Sequence, residues 1–392
     1  MTRRDVVITG IGLVSSLGEG PEAHWAALNN GAKPVVDAAS FAPFPVHPLP
    51  ALSLDAQIPK KGDQRQMEPW QRLGTYAAGL AIDHAGARGL VSDMHLVVAA
   101  GGGERDVAVD EAVTAALTSA APEASGALLN EKLATELRPT LFLAQLSNLL
   151  AGNISIVHGV TGSSRTLMGE EEAAADAIRI AAARLAEGRG EIALVGGAFA
   201  SQRWDMVLLY APGGVLWQGD YAPISARGDA GGLMLGAMAA FLVLETAEHA
   251  QARGAKALAR IGGIASDAAH QRAGGGSATA AAALWQGMAP ASTAGLGVIS
   301  GMTGVAEARV EEEAFLATLG SVPLRRSGSV LGHGVEASFP ANVALAALAL
   351  SQNGFYPKMD PADAGDGAVE RILVTGFGQW RGEALALLEK AP

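Results

Sequence analysis

The acidic residues that follow Gly169 are the part of this chain best placed to do chemistry. Glu170, Glu171 and Glu172 come directly after a short predicted strand and open a long alanine-rich helix. The start of a helix presents free backbone N–H groups and the positive end of the helix dipole, and both stabilise an anion. A strand-to-helix elbow aims one side chain at that position, and here it is Glu171. Taken alone, the pattern also fits a solvated first turn.

The segments around these acids predict how the elbow is held. Apolar runs and glycine breaks indicate, in order, a helix, a strand, a tight turn, a second helix and a second strand. Both strands are apolar, so we expect the second helix to be buried and Glu171 to fill an internal pocket. A buried carboxyl has a raised pKa unless a cation or a helix terminus keeps it charged. The predicted elements are a helix ending near Gly159, strand Arg165–Met168, turn 169–172, a helix to Glu187, and strand Ile192–Val195 followed by Gly196-Gly197.

Composition sets the fold class and excludes several functions. Hydrophobic residues make up 49% of the 392 residues, aromatic residues only 5%, and there are 50 glycines. Small side chains in this proportion favour helices packed closely on a buried sheet, so the expected class is α/β. A formal charge of −11 argues against nucleic acid as a partner. The absence of cysteine excludes disulfides and thiolate metal ligands, and no metal site is expected.

Two further patterns bear on cofactors and location. Gly10 and Gly12 follow an apolar strand, but Ser15 stands where a dinucleotide-binding G-x-G-x-x-G needs its third glycine. No cofactor is therefore expected. The longest apolar run, residues 232–244, is too short to span a bilayer, and the first residues lack the apolar core of a signal peptide. We expect a cytoplasmic protein with no membrane span.

Several motifs resemble those of one enzyme family. Asn148, Ala151, Gly152 and Ser155 match an Asn-x-x-(Ala/Ser)-Gly-x-(Val/Ile)-Ser-Ile segment, and residues 242–255 match Val-Leu-Glu-x-x-x-His-Ala-x-x-Arg-Gly-Ala. These motifs resemble the β-ketoacyl-acyl-carrier-protein synthases, which condense acyl thioesters in fatty-acid and polyketide synthesis. The resemblance covers the full chain. It implies a thiolase-like five-layer αβαβα fold with two pseudo-repeated halves, residues 1–250 and 251–392.

The same resemblance implies that the catalytic residues are replaced. Counting back from Gly196-Gly197 without a gap, the nucleophilic cysteine of the family falls on Glu171. Ser300 stands at the first catalytic histidine and Gly328 at the catalytic lysine, whereas His333 matches the second histidine. A carboxylate is a far poorer nucleophile toward thioesters than a thiolate. We therefore expect no catalytic residues for condensation.

The resemblance also implies an acyl pocket near the C-terminus. Residues 372–378 match the last strand and the glycine-phenylalanine gate of the family. Phe377, flanked by Gly376 and Gly378, is expected to border the acyl tunnel. Gln379 and Trp380 replace the glycine and threonine that follow in the family.

Two other segments carry weaker expectations. Residues 31–66 are rich in proline, which predicts a surface excursion without regular structure, with His47 as a simple loop residue. Residues 104–138 are predicted to be polar helices.

Three functions remain open from the sequence. The first is a non-catalytic subunit, similar to the chain length factors, that pairs with an active ketosynthase and shapes its acyl tunnel. The second is an enzyme of altered chemistry, either a malonyl-thioester decarboxylase using Glu171 with His333 or an acyltransferase using Ser163 or Ser164 with a histidine. The third is a homodimeric module that binds acyl groups or acyl carrier protein. Either dimer is expected to form through the elbow region.

Overall fold

The computed structural model describes residues 3–103, 105–139, 141–267, 276–288, 292–380 and 382–391. Over these residues the strands are β1 (Val6–Ser15), β2 (Gly18–Glu19), β3 (His95–Ala99), β4 (Ser164–Leu167), β5 (Ile192–Phe199), β6 (Met238–Thr246), β7 (Ala259–Asp267), β8 (Leu296–Ser300), β9 (Leu324–Arg326), β10 (Arg371–Phe377) and β11 (Glu383–Glu389).

The helices over the same residues are α1 (Pro21–Asn29), α2 (Lys61–Gln66), α3 (Pro69–His84), α4 (Val107–Ser119), α5 (Ser125–Glu136), α6 (Leu141–Ala144), α7 (Leu149–His158), α8 (Glu170–Ala186), α9 (Trp204–Tyr210), α10 (Ala247–Ala252), α11 (Gly276–Met288), α12 (Ala306–Ala317), α13 (Gly328–Leu331) and α14 (Ser338–Ser351).

The strand order repeats itself in the two halves of the chain. The first half runs β4-β3-β5-β6-β1, and the second runs β9-β8-β10-β11-β7. In each half the first three strands are parallel and the last two pairings are antiparallel. The halves meet where β1 pairs with β7. This repeat makes α8, between β4 and β5, the counterpart of α14, between β9 and β10.

Helices cover the strands in layers. α3 packs on β1, β5 and β6 and contacts α7, whereas α11 packs on β7 and β11 and contacts α12. α8 and α14 contact each other and strands of both halves. The result is the expected α/β thiolase-like arrangement, with α8 and α14 forming the middle layer. Close packing needs small residues: a Cβ on Gly12 would lie 1.9 Å from the backbone oxygen of Ala77 in α3.

The prediction for residues 31–66 was wrong in part. Residues 61–66 form α2, and Val46, His47 and Ile58 are buried. The His47 backbone donates a hydrogen bond to the Leu235 carbonyl, and Ser201 donates one to the His47 carbonyl. The proline-rich composition predicted the irregular path of this segment but not that backbone pairing anchors it in the interior.

Candidate active site

The elbow forms as predicted, and its backbone is strained. β4 ends at Leu167, Gly169 has a φ of 140°, and Glu170 has a φ of 60° at the first position of α8. A left-handed conformation is unfavourable for a residue with a Cβ. Glu171 comes next and is only 7% exposed, whereas Glu170 and Glu172 are half-buried. The elbow therefore turns Glu171 inward.

The Glu171 carboxylate is held by hydrogen-bond donors from three segments. Its Oε1 lies 2.8 Å from Nε2 of His333 and accepts the backbone N–H of Gln379 at 3.2 Å. Burial alone would raise the pKa of Glu171. The hydrogen bond and charge of His333, followed by the backbone N–H groups of Glu171 itself and Gln379, outweigh it and lower the pKa below its ordinary value. Glu171 is thus a buried, ionised acid.

Ser300 is part of a separate buried network. Its hydroxyl donates to Oε1 of Glu312 at 2.6 Å, and Thr375 donates to the same oxygen at 2.6 Å. The Ser300 oxygen also accepts the backbone N–H of Met302. Burial raises the pKa of Glu312. Ser300, at the position that matches the first histidine of the family, is therefore part of a buried hydrogen-bond network with Glu312 and Thr375.

Gly328 begins α13 in a space too small for a long side chain. A Cβ added there would lie 3.0 Å from Cδ1 of Ile224 and 3.0 Å from the backbone oxygen of Met302. The adjoining cavity, which Gly328 and His333 help to line, measures about 10 Å³. A lysine at this position has no room without movement of its neighbours.

A larger cavity lies on the other side of the elbow. It measures about 500 Å³ and is bordered by the Gly101–Gly103 loop, Glu170, Glu336 and Tyr210. Its aromatic lining is completed by Trp70, Phe199 and Trp380, and the Tyr210 and Trp380 rings are stacked at 6.1 Å.

The expected gate residues lie elsewhere. Phe377 is buried and packs against Phe315, with ring centroids 6.2 Å apart. Among the described residues that line the larger cavity, Trp380 is present but Phe377, Gly376 and Gly378 are not. A role for Phe377 in gating an acyl tunnel stays a prediction.

Sequence reasoning missed Glu336. This residue lies in a one-turn helix at Val335–Ala337, directly before α14, and is only 5% exposed. Burial, followed by the charges of Glu171 and Glu170, raises the pKa of Glu336 to about 7. Its carboxylate lies over Gly101, where an added Cβ would be 2.4 Å from Oε1 of Glu336. The sequence does carry a signal for this residue, because Glu336 is the acid in the mostly apolar stretch that follows His333.

The serines proposed as alternative nucleophiles precede β4. Ser163 Oγ lies 2.7 Å from Nδ1 of His95, and Nε2 of His95 lies 2.8 Å from the carbonyl oxygen of Arg189. The structure therefore brings Ser163 and a histidine together, but at the opposite end of β4 from the elbow. For a four-residue strand this separation is about 13 Å.

Comparison with known proteins identifies the family. The sequence profile described as "Beta-ketoacyl synthase, N-terminal domain" matches residues 3–250. The chain belongs to the β-ketoacyl synthase family. A 3-oxoacyl-[acyl-carrier-protein] synthase 2 of Vibrio harveyi is 30% identical over 282 residues, which are 69% of this chain and 65% of that relative. The match thus spans just under two thirds of the length of the curated relatives.

Other members of the β-ketoacyl synthase family come from polyketide synthesis. The tetracenomycin polyketide synthase ketoacyl synthase beta subunit of Streptomyces glaucescens is 31% identical over 277 residues, 67% of this chain and 63% of that protein. Among solved structures, the ishigamide ketosynthase/chain length factor superposes with a TM-score of 0.81 at 22% identity over the whole of both chains. This structural match supports the fold alone.

Neither a metal site nor a membrane span is found among the described residues. They contain no group of three or more histidine and acidic side chains placed to hold a metal ion. None of their helices combines the length and apolar character that crossing a bilayer requires.

Proposed function

We propose that this protein is a non-catalytic, chain-length-factor-type subunit of fatty-acid or polyketide elongation that pairs with an active ketosynthase. Family membership supports a role in one of these pathways. The likeness to a ketoacyl synthase beta subunit supports the subunit role.

The observation that carries the proposal is the state of the elbow. Glu171 occupies the position that the family's cysteine would take, and the chain has no cysteine at all. Its carboxylate accepts hydrogen bonds from the His333 ring and from the Gln379 N–H. Donors that converge on one point stabilise the oxyanion of a reacting carbonyl. Here the protein's own carboxylate occupies two such donors, so no substrate carbonyl can use them.

The exposed face beside the elbow supports pairing with another chain. Within the described residues, β4 has β3 as its one sheet neighbour, so its other edge is open. Exposed apolar side chains lie near this strand: Met168, which follows β4, is 64% exposed, and Ile156 on α7, which contacts β4, is 71% exposed. An open edge flanked by apolar groups is a site for strand pairing with a second subunit.

The proposal is tested by reconstituted elongation. The chain, alone and co-purified with a cysteine-containing ketosynthase, is supplied with malonyl- and acyl-loaded carrier protein, and products are identified by mass spectrometry. We expect no condensation and no decarboxylation from the chain alone, and a changed product length from the pair.

Two variants at the elbow make the test specific. Glu171→Gln removes the charge of the buried acid, and Glu172→Gln makes the same change one residue along at a half-buried position. Neither variant should gain or lose activity alone. Turnover of malonyl thioester by the wild-type chain that Glu171→Gln abolishes and Glu172→Gln preserves would show that the chain is a decarboxylase.

A second candidate function is acyl transfer through Ser163. A serine hydroxyl bonded to an imidazole whose other nitrogen contacts a carbonyl is the arrangement that activates serine nucleophiles. The Arg184 guanidinium also donates to the Ser163 oxygen at 3.3 Å. Labelling with a fluorophosphonate probe tests this candidate. Labelling of wild type and Ser164→Ala but not of Ser163→Ala would support it, and labelling of none would exclude it.

A further inference from the structure

We infer that the 500 Å³ cavity beside the elbow is a binding site for an organic monocation, an alkylguanidinium or alkylammonium group carried on an apolar stem. This inference concerns the cavity of the single chain and holds whether or not the chain pairs with a ketosynthase.

The first argument is a buried acid that forms no ion pair within the described part of the chain. Glu336 is more than nine-tenths buried and lines the cavity. Within the described part of the chain, its carboxylate accepts one hydrogen bond, which comes from its own backbone N–H. The neighbouring acids Glu170 and Glu171 on α8 add negative charge around it. A buried carboxylate is stabilised by a cation of complementary geometry. The protein supplies the acid side of such a pair.

The nearest cations of the protein are engaged with other acids. Arg203 lies close enough to act on Glu336, but its guanidinium bonds to Asp205 and to the Gly103 carbonyl. Arg105, at the rim of the cavity, forms a two-point hydrogen bond with Asp110. A ligand cation would therefore meet Glu336 without displacing an existing ion pair.

The second argument is the set of aromatic side chains that line the same cavity. Tyr210 and Trp380 stack with their planes 8° apart, and Trp70 and Phe199 line the same space. Aromatic faces attract guanidinium and ammonium groups, and they also pack against an apolar stem. Met168 and Leu209 also line the cavity and are 64% and 60% exposed. Because no three metal-binding side chains converge in the described residues, a metal ion is a poorer occupant than an organic cation.

The strained backbone supports a functional role for this cavity. Val335, directly before Glu336, has a φ of 43° although it is β-branched. Such a conformation persists only where the surrounding structure imposes it, and it is concentrated at binding and catalytic sites. Here the strain places Glu336 over Gly101.

The test compares two probes of equal shape by titration calorimetry. n-Butylguanidinium carries the charge, and n-butylurea is its neutral analogue. We expect the cation to bind wild type at about pH 8 at least about tenfold more tightly than the urea. Glu336→Gln should weaken cation binding by about tenfold. The matched control Glu187→Gln, at an exposed position after α8, should bind as wild type does.

The pH dependence gives an independent readout. Glu171 and Glu170 from α8, Tyr210 from α9 and Arg203 are the charged or titratable groups that face Glu336. The acid must lose its proton to pair with the cation, so affinity should rise about tenfold between about pH 6 and about pH 8 in wild type and stay level in Glu336→Gln. Equal binding of the two probes to wild type would overturn the inference. So would unchanged binding to a folded Glu336→Gln.

Two sources of the cation are distinguished in the same assay. A leucine-flanked arginine peptide and its citrulline counterpart represent a basic side chain of a partner protein, and n-butylguanidinium represents a free small monocation. Preference for the arginine peptide over n-butylguanidinium assigns the site to a partner side chain, and the reverse preference assigns it to a metabolite. Failure of both cations to bind better than citrulline contradicts the inference.

Discussion

The start of α8 and the turn directly before α14 have the same backbone conformation, but the pKa of the buried glutamate shifts in opposite directions. The strand repeat makes these helices counterparts. In each, a residue with a Cβ takes a left-handed backbone conformation, Glu170 with φ 60° and Val335 with φ 43°, and a buried glutamate follows, Glu171 and Glu336. The pKa of Glu171 is lowered, whereas that of Glu336 is raised to about 7.

The difference between the two acids comes from their donors. Both are desolvated, which raises a carboxyl pKa. Glu171 meets the His333 ring and the Gln379 N–H, whereas Glu336 meets its own N–H and the negative charges of Glu171 and Glu170. The same backbone conformation thus precedes an acid that pairs with a histidine in the first half of the chain and an acid that faces two other acids in the second. The comparison teaches that the partners of a buried acid decide its charge more than its burial does.

The largest expected effect is that of removing the histidine partner of Glu171. His333→Ala leaves a buried carboxylate without its main donor and should lower the free energy of unfolding by about 3 to 5 kcal/mol in urea titrations. In wild type the lowered pKa contributes stability above the pKa of the unfolded acid, and this contribution is lost as pH falls. The deficit of the variant should therefore be full above about pH 4.5 and shrink as pH falls below that value.

A second histidine–glutamate pair provides the control for that prediction. His249 Nδ1 lies 2.7 Å from Glu245 Oε2, but Arg253 also binds Glu245. His249→Ala should therefore cost about 1 kcal/mol. Equal losses for the two histidine variants would contradict the assignment of His333 as the group that keeps Glu171 ionised.

The next effect is expected at Glu336 and has the opposite sign. A raised native pKa means that the unfolded chain releases this proton first, so the stability contribution is full below about pH 4.5 and is lost as pH rises through about 7. The difference in free energy of unfolding between Glu336→Gln and wild type should therefore change between about pH 4.5 and about pH 8. The change should favour the variant by on the order of 3 kcal/mol. Parallel pH–stability curves for wild type and variant would show that Glu336 is not destabilised by ionisation.

The smallest effect is expected from relieving strain at the elbow. Glycine adopts a φ of 60° without the Cβ penalty, so Glu170→Gly should raise the free energy of unfolding by about 1 kcal/mol. The matched change Glu172→Gly lies inside α8, where glycine disfavours the helix, and should lower it by about 1 kcal/mol. Thermal unfolding distinguishes the two, and destabilisation by both would argue that the Glu170 conformation is not strained.

Much of the first half was predictable from the sequence. The helix ending at Gly159, the strand before the elbow and the helix up to residue 186 follow from apolar periodicity and glycine breaks, and the structure confirms them. The inward direction of Glu171 also followed, because the strands around it are apolar. The charge of Glu171 did not follow, since its donors His333 and Gln379 are 162 and 208 residues away in sequence.

The cavity wall was not predictable for the same reason. Glu336, Tyr210 and Trp380 come from three separate segments, and their meeting depends on how the halves pack. His47 was misjudged because proline content reports on the local path of the chain, whereas its burial depends on a bridge to residues near Gly236. Long-range pairing is invisible to local patterns.

The absence of a thiol at the elbow affects how the proposed pair would respond to inhibitors. Alkylating and oxidising reagents that inactivate thiol enzymes through their active-site cysteine find no thiol in this chain. In a complex of the proposed kind, each pair would take up one equivalent of an active-site-directed reagent, all of it on the partner. The labelling stoichiometry would thus give the ratio of active sites to subunits. In such an assembly, half of the elbows would contain no thiol that oxidative stress could modify.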